Sequence, residues 1–298
     1  MKKLRIFLSG RTGFIARNIL EQLNSKYDFV SPSHKELDLL DFSAVERFFK
    51  KNNHFDFALH SAIVGGNRKV PDTPQIANIN LRMFFSVARN RQYFGKMIHL
   101  GSGIEYGKER PLRKVQETDF DKFVPKDNFG FYKYLCGKYI ESVEGILNLR
   151  LFGVFGKYED ASIRFISNAI CKSILGMPIT INQNVFFDYL CIDDFVRILD
   201  YFLNHRVKFK SYNVGTGKGI DLVTIANKIN KIVQQNSSIK IRLKGLANEY
   251  TCDNKLLIEE MGTFKFTDFD DSLPKLHDWY FSRRSKLRKK DFLDDYFK

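Results

Sequence analysis

In the segment FYKYLCGKYIE, Tyr134 and Lys138 stand four residues apart. On a helix, that spacing puts both side chains on one face. A tyrosine has an ordinary pKa of about 10 and is a weak proton donor near neutrality, but a neighbouring ammonium favours the tyrosinate and brings it into range for acid–base work. Upstream, HLGSGIEYG places Ser102 just after an apolar run that ends near Leu100. That is the kind of strand-end loop in which α/β proteins bind ligands. A hydroxyl, a phenol and an ammonium together suit proton transfer at the oxygen of a carbinol or carbonyl. The chain has 13 tyrosines and many lysines, so a Tyr-x-x-x-Lys spacing taken alone reads equally as core packing beside a solvated lysine.

A second constellation is LRIFLSGRTGFIARNIL, where Gly10, Gly13 and Ala16 repeat every three residues, with Arg11, Thr12, Phe14 and Ile15 between them. Glycine lets a strand turn sharply into a helix and lets a diphosphate approach the backbone at the helix N-terminus, while a small Ala16 allows close helix–strand packing. The competing reading is a turn with no ligand.

The elements that must hold these residues follow from the hydrophobic pattern. Short apolar runs alternate with helical periodicity: LRIFLSG then 14–25, FDFALHSA then 76–92, KMIHLGS then 131–145, LNLRLFGVFG then 162–174. Such alternation is the mark of βαβ units, so the chain reads as α/β, a Rossmann-like doubly wound parallel sheet. From about residue 156 the rhythm loosens, which predicts a smaller, interleaved C-terminal α/β lobe. The boundaries expected are 1–155 plus about 185–210 for the nucleotide-binding domain, and 156–184 with 211–298 for the substrate lobe. FDYLCIDDFVRILDYFL reads as a buried strand feeding a helix.

At 298 residues the chain can bury a full core. No apolar run approaches a membrane span, and the N-terminal MKKLRIFLSG is too short for a signal-peptide core, so no membrane partner and a cytoplasmic location are expected. Cys136, Cys171, Cys191 and Cys252 are far apart without CxxC pairs, which argues against disulfides and against a metal site. The net charge of +14 is spread along the chain, apart from SRRSKLRKKDF near the C-terminus. No nucleic-acid module accompanies it, so that run reads as a solvated face and no nucleic-acid partner is expected.

Taken together, these segments resemble the extended short-chain dehydrogenase/reductases, the NAD(P)-dependent epimerase/dehydratases that act on nucleotide sugars. The resemblance rests on residues 10–16, Ser102 with Tyr106-Gly107, Tyr134-x-x-x-Lys138, LRLFGVFG, FDYLCIDD and YNVGTGKGIDLVTIA. HKELDLLDFSAVERFF and HSAIVGG are most similar to the GDP-fucose-synthase-like branch of nucleotide-sugar reductases. It implies that Ser102 and Tyr134 bond the sugar oxygen that gains or loses hydride, and that Lys138 holds the nicotinamide ribose and lowers the tyrosine pKa. Gly10, Gly13 and Ala16 would cradle the pyrophosphate, with Asp41 near the adenine, Ser61 and Ala62 lining the cofactor path and Asn78 supporting that loop. Asp41 is equally suited to cap a helix. The second strand runs into Ser33, His34 and Lys35 with no acid before Glu36, and Arg11 lies in the glycine turn; this favours NADP over NAD.

The chain also departs from the family. Ile104 stands where the synthases carry the Cys of their epimerisation step, and Ala161 or Ser162 where they carry its His; the dehydratases' Asp-Glu places hold Gly103 and Ile104. Carbon-acid chemistry is therefore not expected. Phe187 replaces an arginine that grips the nucleotide diphosphate, leaving Lys157, Arg164 and Lys172 as candidate cations. Glu105 is either a site residue or a surface acid. The expectation is NADPH-dependent reduction of a 4-keto-6-deoxy nucleotide sugar without C3/C5 epimerisation, the partner being a nucleotide-diphosphate sugar. The alternatives are a 4-epimerase with tightly held NAD and a non-catalytic NADP-sensing protein. The resemblance also implies a homodimer through the Tyr134 helix and the one before it; Phe84, Phe85, Phe131, Leu135 and Ile140 suit that contact and suit core packing equally.

Overall fold

The apolar runs become strands because their alternate residues are demanded by two different helical layers, and strands buried on both faces suit a parallel sheet. The computed structural model describes residues 3–66, 69–234 and 237–293. In chain order the strands are β1 Arg5–Leu8, β2 Asp28–Val30, β3 Phe55–His60, β4 Phe94–Ser102, β5 Leu112–Val115, β6 Ile146–Leu151, β7 Gly153–Phe155, β8 Ile179–Asn184, β9 Phe186–Cys191, β10 Ser211–Val214, β11 Gly219–Asp221, β12 Ile239–Leu246 and β13 Tyr250–Cys252. The helices are α1 Phe14–Leu23, α2 Phe42–Asn52, α3 Pro74–Ala88, α4 Asn128–Ser142, α5 Phe165–Ile174, α6 Ile192–Asn204, α7 Leu222–Val233, α8 Lys255–Met261 and α9 Phe269–Phe281.

Six strands pair in parallel in the order β10-β6-β4-β3-β1-β2. Within β1, Ile6 and Leu8 join a core with Ile19 of α1 and Phe195, Ile198, Leu199 and Phe202 of α6. Phe7 points the other way, into Val45 and Phe49 of α2, Phe84 and Val87 of α3 and Cys136 and Ile140 of α4. The period-2 alternation of one short strand thus seats both helical layers. Phe84 and Ile140 are spent on this core; Phe131 is exposed on α4.

The smaller lobe packs α5, α7 and α9 around Ile170, Ile225, Leu273 and Leu276, next to the β8–β12 pair. A second sheet, β11-β9-β13-β5 with β7 beside β9, joins it to the first. The interleaving differs from the expected boundaries. β10 begins at Ser211 yet completes the first sheet, while β9 and the early β5 belong to the second. The pattern of FDYLCIDDFVRILDYFL does become a strand and a helix, β9 and α6; β9 pairs in the second sheet, yet its Leu190 packs in the same core as α6, against the first sheet. Sequence order could not show this, because a crossover changes sheets without changing periodicity.

One carboxyl in the second lobe ties stability to pH. Glu159, buried just after β7, accepts the hydroxyl of Ser167 on α5, and burial pushes it up to about 7 from an ordinary 4.5. Between those values the folded chain keeps a proton that the unfolded chain has released, so stability falls as pH rises through that window. Urea unfolding midpoints measured at about pH 5 and about pH 8 should drop with pH in the unaltered chain and should drop less in Glu159→Gln. An undiminished drop in the variant would assign the effect to another group.

Candidate active site

Ser9 follows β1 and organises two strand ends at once: its Oγ accepts the backbone N–H groups of Ser61 (3.1 Å) and Ala62 (3.2 Å) and meets His60 Nδ1 at 3.1 Å. Gly10 comes next with φ +78°, and a Cβ there would sit 2.9 Å from Ala62 Cα, so only glycine fits against the β3 loop. Gly13 then starts α1, whose first turn has no side-chain cap and no acidic residue. Its free N–H groups and dipole form a cradle suited to a diphosphate. This lies beside β1 and β3, where the strand order reverses, the usual place for a dinucleotide. The loop after β3 is held by Asn80, which is buried: its Oδ1 accepts Val64 N–H at 2.9 Å and its Nδ2 donates to Val64 O and Ile76 O at 2.8 Å. Asn78, assigned that task from sequence, is exposed. The two sit at neighbouring helix positions, and only the fold distinguishes inward from outward.

Ser102 ends β4 and caps a short 3₁₀ turn, Gly103–Tyr106. Its backbone N–H donates to Glu105 Oε1 at 3.0 Å, while Glu105 Oε2 accepts Asn148 Nδ2 at 2.9 Å and Arg150 Nε at 2.7 Å from β6. Glu105 is wholly buried and Arg150 nearly so. Both sequence readings of Glu105 are therefore corrected: it is neither a surface acid nor free for substrate, because the buried guanidinium claims it.

Helix α4 decides which lysine reaches the strand ends. Tyr134 donates to Asp121 Oδ1 at 2.5 Å and Lys138 Nζ to Asp121 Oδ2 at 2.6 Å, so the pair does share a face, but a carboxylate stands between them. The hydrogen bond to Asp121 pushes the Tyr134 phenol up to about 12, opposite to the direction expected of a lysine-tuned acid. Ser102 makes no hydrogen bond to either residue; its Oγ meets Tyr250 Oη at 3.4 Å. On another face, Lys133 is buried and its Nζ donates to Leu100 O at 2.5 Å, two residues before Ser102. Burial pulls its ammonium below the ordinary range. With the help of its charge, burial also pulls His60 down to about 3 and His99 well below its ordinary value, so both stacked imidazoles beneath the crevice are neutral. Four residues before Lys133, at the start of α4, Phe129 lays its ring against Gly66 of the β3 loop. The stagger sought in Tyr134 and Lys138 recurs as Phe129 and Lys133, and it is this second register that faces the strand ends.

The remaining candidates divide. Asp41 caps α2 by accepting Ala44 N–H at 2.9 Å, the second of its two readings. Arg11 lies 3.8 Å from Glu36, which also accepts Ser33 N–H, while His34 faces Asp38; Lys35 is exposed. Lys157 pairs with Glu21 on α1 at 2.8 Å and Lys172 is buried on Thr180. Arg164, the residue that caps α5, is exposed, and its side chain has no hydrogen bond or ion pair among the described residues. Phe187 packs between Tyr189 and Tyr250 with its ring tilted to both. Sequence reading missed Tyr250, which joins Phe187 to Ser102; it lies 148 residues from Ser102 and carries no motif. Among the described residues no group of three or more His, Cys, Asp or Glu could hold a metal ion, and no helix is long and apolar enough to cross a membrane.

A doubly wound parallel sheet, a glycine turn at an uncapped helix and a serine at the end of β4 define the class of α/β proteins that take dinucleotides at their strand ends. The chain belongs to the NAD dependent epimerase/dehydratase family, whose pattern matches residues 6–215. It is 21% identical over 307 aligned positions to GDP-L-colitose synthase of Yersinia pseudotuberculosis, covering 95% of this chain and 99% of that protein. UDP-glucose 4-epimerase of Thermotoga maritima, solved with UDP-glucose, superposes with a TM-score of 0.81 at 19% identity, over 95% of this chain and 100% of that one. GDP-mannoheptose C4 reductase of Campylobacter jejuni, solved with NADP, gives 0.79 at 18% identity, over 94% and 99%.

The Glu105 network yields a stability test. Glu105→Ala strands a buried guanidinium, and breaking such a pair costs about 3–5 kcal/mol. Denaturant unfolding should show a loss of that size together with loss of any activity that uses Ser102, whereas a loss near zero would mean that Arg150 finds another partner.

Proposed function

We propose that the chain reduces a carbonyl of a nucleotide-diphosphate sugar, specifically a 4-keto-6-deoxy sugar, with NADPH and without exchange at C3 or C5. What supports this is that the Gly10 cradle after β1, Lys133 against Leu100 O and Ser102 at the end of β4 all stand at the ends of neighbouring strands of one parallel sheet. The cradle takes the dinucleotide diphosphate at the α1 N-terminus. Lys133, rather than Lys138, is the lysine placed to bond ribose hydroxyls near the end of β4. Bound nicotinamide in its reduced form supplies hydride. Ser102 donates to the substrate oxygen, and Arg164 is the cation free to meet the substrate diphosphate in place of the arginine that Phe187 replaces. Arg11, His34 and Lys35 favour a ribose phosphate; the Arg11–Glu36 contact joins exposed groups and is easily displaced.

A second reading, a 4-epimerase with tightly held NAD, draws on Glu36, whose carboxylate lies in the loop after β2 beside Arg11 of the glycine turn and would bond a ribose diol. Cofactor use separates the two. With GDP-, UDP- and dTDP-linked 4-keto-6-deoxy sugars, the chain should consume NADPH in step with product, and calorimetry should show tighter binding of NADPH than of NADH. Lys133→Met should weaken NADPH binding at least about tenfold, a loss of about 1.4 kcal/mol, while Lys138→Ala leaves it near that of the unaltered chain. Catalytic interconversion of UDP-glucose and UDP-galactose without net cofactor use would establish the epimerase instead.

Run in deuterated water, the reduction should leave C3 and C5 unlabelled by mass spectrometry. Ile104 offers no titratable group, and Ser162 is held by Asp160 and Lys69. Label above the uncatalysed background would reveal a base that this reading lacks.

A further inference from the structure

If the reading above holds, the reduced oxygen needs a proton, and the tyrosines near the crevice are not equivalent. Tyr134 is bonded to Asp121. Tyr106 donates to Asn213 Oδ1 at 2.7 Å, and Tyr132 is buried in the core under α3 and α4. Phe129, one helical turn before Lys133, has no hydroxyl. Tyr250, reaching over from β13, is the phenol that meets Ser102, at 3.4 Å. Its ring is clamped by Phe152 (centroids 5.0 Å apart) and Phe187 (5.6 Å). Its hydroxyl occupies space that Gly103 leaves open, since a Cβ there would stand 2.7 Å from it. We infer that Tyr250 is the proton donor of the reduction, acting with Ser102 on one substrate oxygen.

The step balances. As hydride from the reduced nicotinamide forms the new C–H bond, the carbonyl π pair moves to oxygen. The phenolic O–H of Tyr250 breaks, and its proton completes the carbinol. The phenolate then recovers a proton from solvent. Burial pushes this phenol up and keeps it protonated, while its contact with Ser102 and the charge of Arg164 pull the other way and ease the proton's departure.

The test uses the intact chain with NADPH and whichever of the GDP-, UDP- or dTDP-linked 4-keto-6-deoxy sugars it reduces fastest. Tyr250→Phe keeps the ring and should lower kcat by about 10²- to 10⁴-fold, with NADPH affinity unchanged. Tyr134→Phe should keep kcat near that of the unaltered chain. If Tyr250→Phe keeps more than a tenth of kcat, or loses NADPH affinity to the same degree as kcat, the inference falls while the reductase reading stands. If the unaltered chain reduces none of the three sugars, both fall.

Discussion

The site depends on one buried carboxylate. Glu105 ties the end of β4 to Asn148 and Arg150 of β6, and through Ser102 N–H it fixes the turn in which the serine stands. Desolvating an ion pair rarely adds net stability, so the value of this one lies in geometry: neither partner can leave without stranding the other. Gly101 and Gly137 are part of the same constraint. A Cβ on Gly101 would collide with Glu105 and Asn148, and one on Gly137 would stand 2.9 Å from Glu105 Oε2. The strand and the helix can close on the carboxylate only because both positions lack side chains.

From that anchor the site spreads into three layers of the fold. The parallel sheet supplies Ser9, the glycine turn and Ser102; α4 supplies Lys133 from the side; and the second sheet delivers Tyr250 and Phe187 from the opposite lobe. β5 and β13, which pair in that second sheet, are far apart in the chain, so the lobes cannot separate without unpairing strands. A crevice built this way places groups from distant sequence within hydrogen-bond reach and holds them there.

The two faces of α4 show how little spacing alone decides. Tyr134–Lys138 and Phe129–Lys133 have the same stagger on the same helix, and their sequence neighbourhoods differ little. Rotation of the helix about its axis assigns one pair to Asp121 and the other to the ends of β3 and β4. That rotation is set by Tyr132, Cys136 and Ile140, which pack into the core with Phe84.

By itself, the sequence determined the doubly wound class, the glycine turn at β1 and the serine at the end of β4, because these rest on local physics: alternating burial, positive φ and the loops that end parallel strands. It also determined the mismatch at Ile104 and Phe187, since absent side chains are legible anywhere. Only the tertiary structure decided that Glu105 is buried, that Asn80 rather than Asn78 holds the β3 loop, that Lys133 rather than Lys138 reaches the end of β4, and that Tyr250 meets Ser102. Each of those facts is a matter of which way a side chain points or of contact between residues far apart in the chain. Both are set by packing between layers, which no local window of residues contains.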